Sequence, residues 1–303
     1  MKRVRRRLDD GDLEPIDEPA HQENGHEPEA PTAWDRVMLA RHPERPHTLD
    51  YIRGLMQGFV ELHGDRQFGD DAAIIGGLAS FNERTVIVLG HQKGTTTREN
   101  IERNFGMAKP EGYRKVDRLM KHAEKFGIPV ITFVDTPGAE PGIGSEERGQ
   151  GTAIAESLLT MASLKTPVIA VIVGEGGSGG ALAIGMADRM LMLENAIYAV
   201  ASPEACAAIL WKDASKAPEA AQTMRITADD LYTFGIVDTV VDEAVPANEE
   251  KDNAIAAVGA ALESSMAELM ETVDQPSGID RLVEQRYEKY RQIGAWQEAA
   301  PIG

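Results

Sequence analysis

Gly174-Glu175-Gly176-Gly177-Ser178-Gly179-Gly180-Ala181-Leu182-Ala183-Ile184-Gly185 follows directly on Pro167-Val168-Ile169-Ala170-Val171-Ile172-Val173. The second run is apolar, β-branched and without alternation, the pattern of a strand buried on both faces. Five glycines among the seven residues after it strip a loop of side chains, and a short apolar helix is expected from Gly180. Glycine permits close approach of another molecule to the backbone. A helix start presents unpaired N–H groups carrying partial positive charge. Strand, bare loop and helix start together describe a place where backbone amides hold an oxyanion.

The same pattern occurs earlier in the chain. Ile128-Pro129-Val130-Ile131-Thr132-Phe133-Val134 leads into Asp135-Thr136-Pro137-Gly138-Ala139, and its proline lies 38 positions before Pro167. The strand that ends at Gly90 fits the plan more loosely. Repetition of one strand-loop-helix unit predicts stacked turns of a spiral, with the loops gathered on one side. Around these units, Ala73–Ala79 and Thr85–Leu89 read as a hairpin about Asn82-Glu83. Leu119, Met120, Ala123 and Phe126 mark a helix ended by Gly127. Upstream, Trp34, Val37, Met38 and Leu39 are expected on one helix face, and Thr48 is expected to cap a second helix. Downstream come short strands at Met190–Leu193 and Ile197–Val200, a helix capped by Ser202, and another from Thr227 to Gly235. A strand over Ile236–Val241 and two charged helices, Asp252–Val273 and Asp280–Ile293, complete the chain. The expected organisation is a disordered charged tail over residues 1–32, an α/β domain over 33–245 and a helical extension over 246–303.

A net charge of −18 over 303 residues argues against a nucleic-acid-binding surface. The single cysteine, Cys206, rules out an intrachain disulfide and a cysteine-rich zinc site, and reads as a small buried apolar residue. No metal site is expected. The basic start Met1–Arg7 is followed by no apolar segment, and no run reaches the roughly 18 apolar residues of a spanning helix. A cytoplasmic protein is expected.

Several motifs fall short of function. Gly174, Gly176 and Gly179 satisfy G-x-G-x-x-G, but mid-chain and ahead of a helix of about two turns, which is poor context for a dinucleotide site. Asp135-Thr136-Pro137-Gly138 resembles a GTPase switch, yet no phosphate-binding loop of the required spacing precedes it. His91 at a strand end reads as structural, Asp135 as a loop cap and Glu140 as a solvated carboxylate. The basic stretch Arg98, Arg103, Lys109, Arg114 and Lys115 is a candidate surface for phosphates or for a carrier protein. Two repeat-related loops rich in backbone donors, without a nucleophile or base, suit chemistry in which a cofactor supplies the reactive group.

Longer segments carry a resemblance. They are Leu39-Ala40-Arg41-His42-Pro43, Thr48-Leu49-Asp50-Tyr51, Gly90-His91-Gln92-Lys93-Gly94, Arg103-Asn104-Phe105-Gly106-Met107 and Pro110-Glu111-Gly112-Tyr113-Arg114-Lys115. Asp135–Ala139, Glu146-Glu147-Arg148-Gly149-Gln150, Gly174–Ala183 and Ile209-Leu210-Trp211-Lys212 continue the series. From about Trp34 to Val241 the chain resembles the alpha subunits of bacterial acetyl-coenzyme A carboxylase carboxyltransferases. The resemblance implies a crotonase-like spiral of stacked ββα units with C-terminal helices. It also implies transfer of a carboxyl group from carboxybiotin, borne on a carrier protein, to acetyl-CoA, giving malonyl-CoA for fatty-acid synthesis. By resemblance the Gly179 and Gly180 amides polarise the biotin ureido oxygen, with Gly138, Ala139, Gly176 and Gly177 on the biotin side of the site. The implied partners are a zinc-ribbon-bearing beta subunit, the biotin carboxyl carrier protein and biotin carboxylase, with an alpha2beta2 carboxyltransferase. The alternatives are transfer to propionyl-CoA or another acyl-CoA, and a non-catalytic CoA-binding scaffold. The chain departs from the family at Glu140, where an aromatic residue is common, and in its charged tail, where a helical extension is common.

Overall fold

Thr32 starts the first helix, Ala33–Ala40: its hydroxyl accepts from the Asp35 amide, and the Asp35 carboxylate accepts from the Thr32 amide. The structure, a computed structural model, describes residues 30–294; the rest of the expected tail lies outside them. The buried face of this helix is Ala33, Arg36, Val37 and Ala40, and Met38 is exposed. The expected face failed because positions 37, 38 and 39 spread over some 200° of a helix. Arg36 can lie inside because its guanidinium bonds the Glu194 carbonyl and the Asn195 side chain. In the helix Thr48–Leu55 the cap is His47, whose amide donates to Asp50. Thr48, expected as the cap, gives its hydroxyl to the His91 carbonyl instead.

Among the described residues eight strands form one sheet: β1 Gln57–Glu61, β2 Ile74–Phe81, β3 Arg84–His91, β4 Val130–Thr136, β5 Val168–Gly177, β6 Arg189–Leu193, β7 Ile197–Ala199 and β8 Thr239–Val241. Their order is β1-β2-β3-β4-β5-β6-β8, and β7 pairs with the end of β5. The β2–β3 hairpin turns on Asn82 and Glu83, both at positive φ, as a two-residue turn requires. From β3 onward the strands are parallel, and the residues of β4 and β5 up to Gly176 are buried, as two-sided apolar runs predict. β8 is half the expected length, because the Ile236 and Val237 amides still donate to the Leu231 carbonyl at the preceding helix end.

The helix Pro110–Phe126 stops at Gly127, whose φ of 62° closes it in the left-handed region. The helix Lys251–Val273 lays Val258, Leu262, Met266 and Leu269 onto the core. In the next helix, Gly278–Arg291, Arg286 is buried and pairs with Asp188 at 2.7 Å while donating to the carbonyls of Met161, Leu164 and Thr166. Among the described residues no helix is long and apolar enough to cross a membrane.

Candidate active site at the strand ends

Parallel strands deliver β3, β4 and β5 to one edge, so the loops after Gly90, Asp135 and Gly174 lie side by side. Ligands of such sheets bind at the carboxyl ends of the strands. The glycine helix is Ser178–Gly185, two residues longer at its start than expected, and Ser178 opens it at a φ of 51°. A serine held there stores backbone strain, a feature common where function fixes the chain. The short helix is pinned at its far end, where the Ala183 and Ile184 carbonyls accept from buried Ser157 and Thr132, both at 2.7 Å. Its start is therefore rigid while Ser178 is exposed and Gly179 half-buried.

The two repeat-related loops meet backbone to backbone. A Cβ on Gly177 would strike the Pro137 carbonyl, and one on Gly180 would stand 2.7 Å from the Ala139 nitrogen and 3.0 Å from Tyr113 Oη. On Gly176 it would strike the Tyr198 ring, whereas on Gly179 it would meet nothing nearer than Ile154 at 3.7 Å. Gly138, at φ 153°, donates its amide to Thr136 Oγ1 at 3.1 Å. The Ala139 amide has no partner among the described residues, so it is the available donor of that loop. The structure thus gathers Gly138, Ala139, Gly177 and Gly180, with Gly179 as the open position and Gly176 one step behind.

Behind the amides lies a chain of ion pairs absent from the sequence reading. Lys93 Nζ donates to Asp135 Oδ1 at 2.7 Å and to Glu175 Oε2 at 3.1 Å. Arg41 joins Glu175 at 2.7 Å to Glu204 at 2.6 Å, and His47 Nδ1 stands 3.1 Å from Asp135 Oδ2. The Glu175 amide also donates to Asp135, so one lysine ties the ends of β3, β4 and β5 together. Burial opposes the charge on Lys93, but Asp135 and Glu175 outweigh it and hold its pKa above the ordinary lysine value. Burial would likewise raise Asp135, yet Lys93 and His47 keep it well below the usual carboxylate range. Arg41, His47, Lys93, Pro137 and Glu175 line a cavity of about 320 Å³ beside the loops. The partners are up to 163 residues apart, beyond any local pattern. The one available signal was a charged residue at the end of each apolar strand.

Other expectations resolve differently. Asp135 belongs to this buried network rather than to a loop cap. Glu140 is not simply solvated, since its carboxylate accepts from the Gly142 amide. Within the basic stretch, Arg114 pairs with Asp65 and Glu111 and buried Lys115 with Asp70, whereas Arg98 and Lys109 are exposed. Cys206 is half-buried. His91 is fully buried, and burial pushes its imidazole down to about 3, so it stays neutral.

Among the described residues no His, Cys, Asp and Glu group could hold a metal ion. A mixed sheet with helices and with backbone-lined loops at its strand ends is the architecture of an α/β protein of the crotonase-like fold. Two solved structures share it. The transcarboxylase 12S core superposes with a TM-score of 0.59 at 21% identity, over 76% of this chain and 44% of that one, so this chain spans less than half its length. The malonate decarboxylase MdcD-MdcE hetero-dimer of Pseudomonas gives 0.56 at 20% identity, over 74% and 91%. A family model described as acetyl co-enzyme A carboxylase carboxyltransferase-like matches residues 9–294. A Listeria innocua protein named acetyl-coenzyme A carboxylase carboxyl transferase subunit alpha is 53% identical over 268 residues, 88% of this chain and 82% of its own. One of the same name from Azoarcus is 55% identical over 269 residues, 89% and 83%. The chain belongs to the acetyl-CoA carboxylase carboxyltransferase-like family.

Proposed function

We propose that this chain is the alpha subunit of a biotin-dependent carboxyltransferase that forms malonyl-CoA from acetyl-CoA, active only with a beta subunit. The observation that carries the reading is the meeting of two bare loops, one offering the Ala139 amide and the other the first amides of a pinned helix. Bound carboxybiotin, brought by a carrier protein, supplies the carboxyl group. The chain's own part is to orient the ureido ring and to receive charge on its oxygen. The Gly179 and Gly180 amides, with that of Ala139, would hold that oxygen, and because they are in place before reaction they would need little reorganisation. Gly176 and Gly177 keep side chains off the floor, and Gly138 shapes the wall. Such a cradle fits the group: it is half-exposed, narrow and bare, with one open place at Gly179. The beta chain supplies the matching half for the thioester, and biotin carboxylase recharges the carrier.

Gly179→Val tests this reading because the position has room for a side chain. A valine there fills the open place and holds the ureido oxygen off the amides, of which one preorganised donor contributes about 2.7–4 kcal/mol, so turnover of the alpha-beta complex with its biotin carrier falls about a hundredfold, with an unchanged melting temperature. Near-normal malonyl-CoA formation by this variant would sink the reading.

A further inference from the structure

Tyr113 is carried by the helix Pro110–Phe126 and is fully buried, its ring in the core and its tip at the junction of the two loops. The point a Gly180 Cβ would occupy lies 2.7 Å from the Ala139 nitrogen, 2.7 Å from the Gly138 carbonyl carbon and 3.0 Å from Tyr113 Oη. The phenol therefore abuts the place where both loops present their backbones. Tyr113 Oη has no hydrogen-bond partner among the described residues. A buried hydroxyl without a partner destabilises a fold, and phenylalanine would fill the same volume without that cost. Burial also raises the phenol well above its ordinary pKa, so its proton stays in place.

We propose that the Tyr113 hydroxyl belongs to the cradle, as a positioning group that fixes the separation of the Ala139 and Gly180 backbones and turns its O–H dipole toward the charge they receive. The inference rests on the proposed carboxyltransferase reading. A buried O–H without another partner is free to turn toward that charge as it develops, and so helps the transition state more than the ground state. Gly180 is part of the same arrangement: any side chain there would separate the phenol from the Ala139 amide.

The experiment compares wild type, Tyr113→Phe and Tyr51→Phe, each assembled with the beta chain and biotin carrier. Tyr51 is the control, a second buried phenol without a partner, stacked on Phe133 at 5.1 Å. Turnover, KM for acetyl-CoA and for the carrier, and the melting temperature of each free alpha chain are measured. The expected result for Tyr113→Phe is a tenfold or greater fall in kcat, KM values within twofold of wild type, and a melting temperature equal or higher. Tyr51→Phe is expected to shift stability in the same direction at unchanged kcat. Wild-type kcat in Tyr113→Phe overturns the proposal. So does a parallel loss of kcat and melting temperature, which would make the hydroxyl a structural partner. An inactive wild-type complex overturns the carboxyltransferase reading and this inference together, whereas an active wild type with an equally active Tyr113→Phe overturns the inference alone.

Discussion

Gly179 and Gly180 are neighbours of the same chemistry in surroundings that differ by a full ångström of clearance. A methyl group at Gly180 stands 2.7 Å from backbone atoms of the facing loop, and at Gly179 it stands 3.7 Å from a side chain. Gly180→Ala is expected to lower both the melting temperature and turnover, while Gly179→Ala retains the wild-type melting temperature; thermal scans of the free chain separate them. His91 gives a second residue-scale prediction. The unfolded chain protonates this ring near its ordinary value of 6.5, and the folded chain resists down to about 3. Stability is therefore complete above that ordinary value and falls as pH drops toward the folded one, by about 2 kcal/mol at roughly pH 5. Urea midpoints of wild type fall over this range, and His91→Asn shows a flatter profile; parallel profiles would refute the assignment. The glycines were legible in the sequence because their spacing after a strand is a local pattern. His47, Lys93 and Glu175 were not, since a buried charge is recognised only by partners that the fold supplies.

The strand ends behave as one mechanical element because Lys93 bridges the carboxylates of β4 and β5. Removing its charge leaves Asp135 without its lysine while Glu175 keeps Arg41, and the loss of one partner of a buried pair costs about 3–5 kcal/mol. Lys93→Met is thus expected to lower the chemical-denaturation midpoint sharply, and Lys93→Met combined with Asp135→Asn to recover part of the loss. Equal midpoints for wild type and Lys93→Met would remove the tie. At this scale the repeat was readable: two X-Pro-Val-Ile runs announced β4 and β5, and the hairpin and Gly127 stood where turn chemistry put them. Errors clustered where a residue had a better partner elsewhere. Thr48 abandoned its cap for the His91 carbonyl, and Ile236 and Val237 stayed with a helix end instead of extending β8. Within the basic stretch, Arg114 and Lys115 find carboxylates that the fold brings from Asp65 and Asp70.

At the scale of the described residues, a buried arginine ties the last described helix to the loops around β6. Arg286 lies in the helix Gly278–Arg291, yet its bonds reach Asp188 and the carbonyls of Met161, Leu164 and Thr166. Burial, the largest influence on Asp188, raises its pKa, and Arg286 pulls against it. Arg286→Met is expected to destabilise the chain by about 3–5 kcal/mol, as an uncompensated buried carboxylate requires, and the double variant with Asp188→Asn by less. Equilibrium unfolding in urea measures both. Time enters here as well. Arg286 is made 98 residues after Asp188 and 125 after Met161. At a synthesis rate of about 5–20 residues per second, the growing chain waits roughly 5–25 s between making these acceptors and making the group that satisfies them. Through that interval the helices behind the site have no cation to close on. The newborn chain thus carries Asp188 and these carbonyls without their guanidinium until its last described helix has been made.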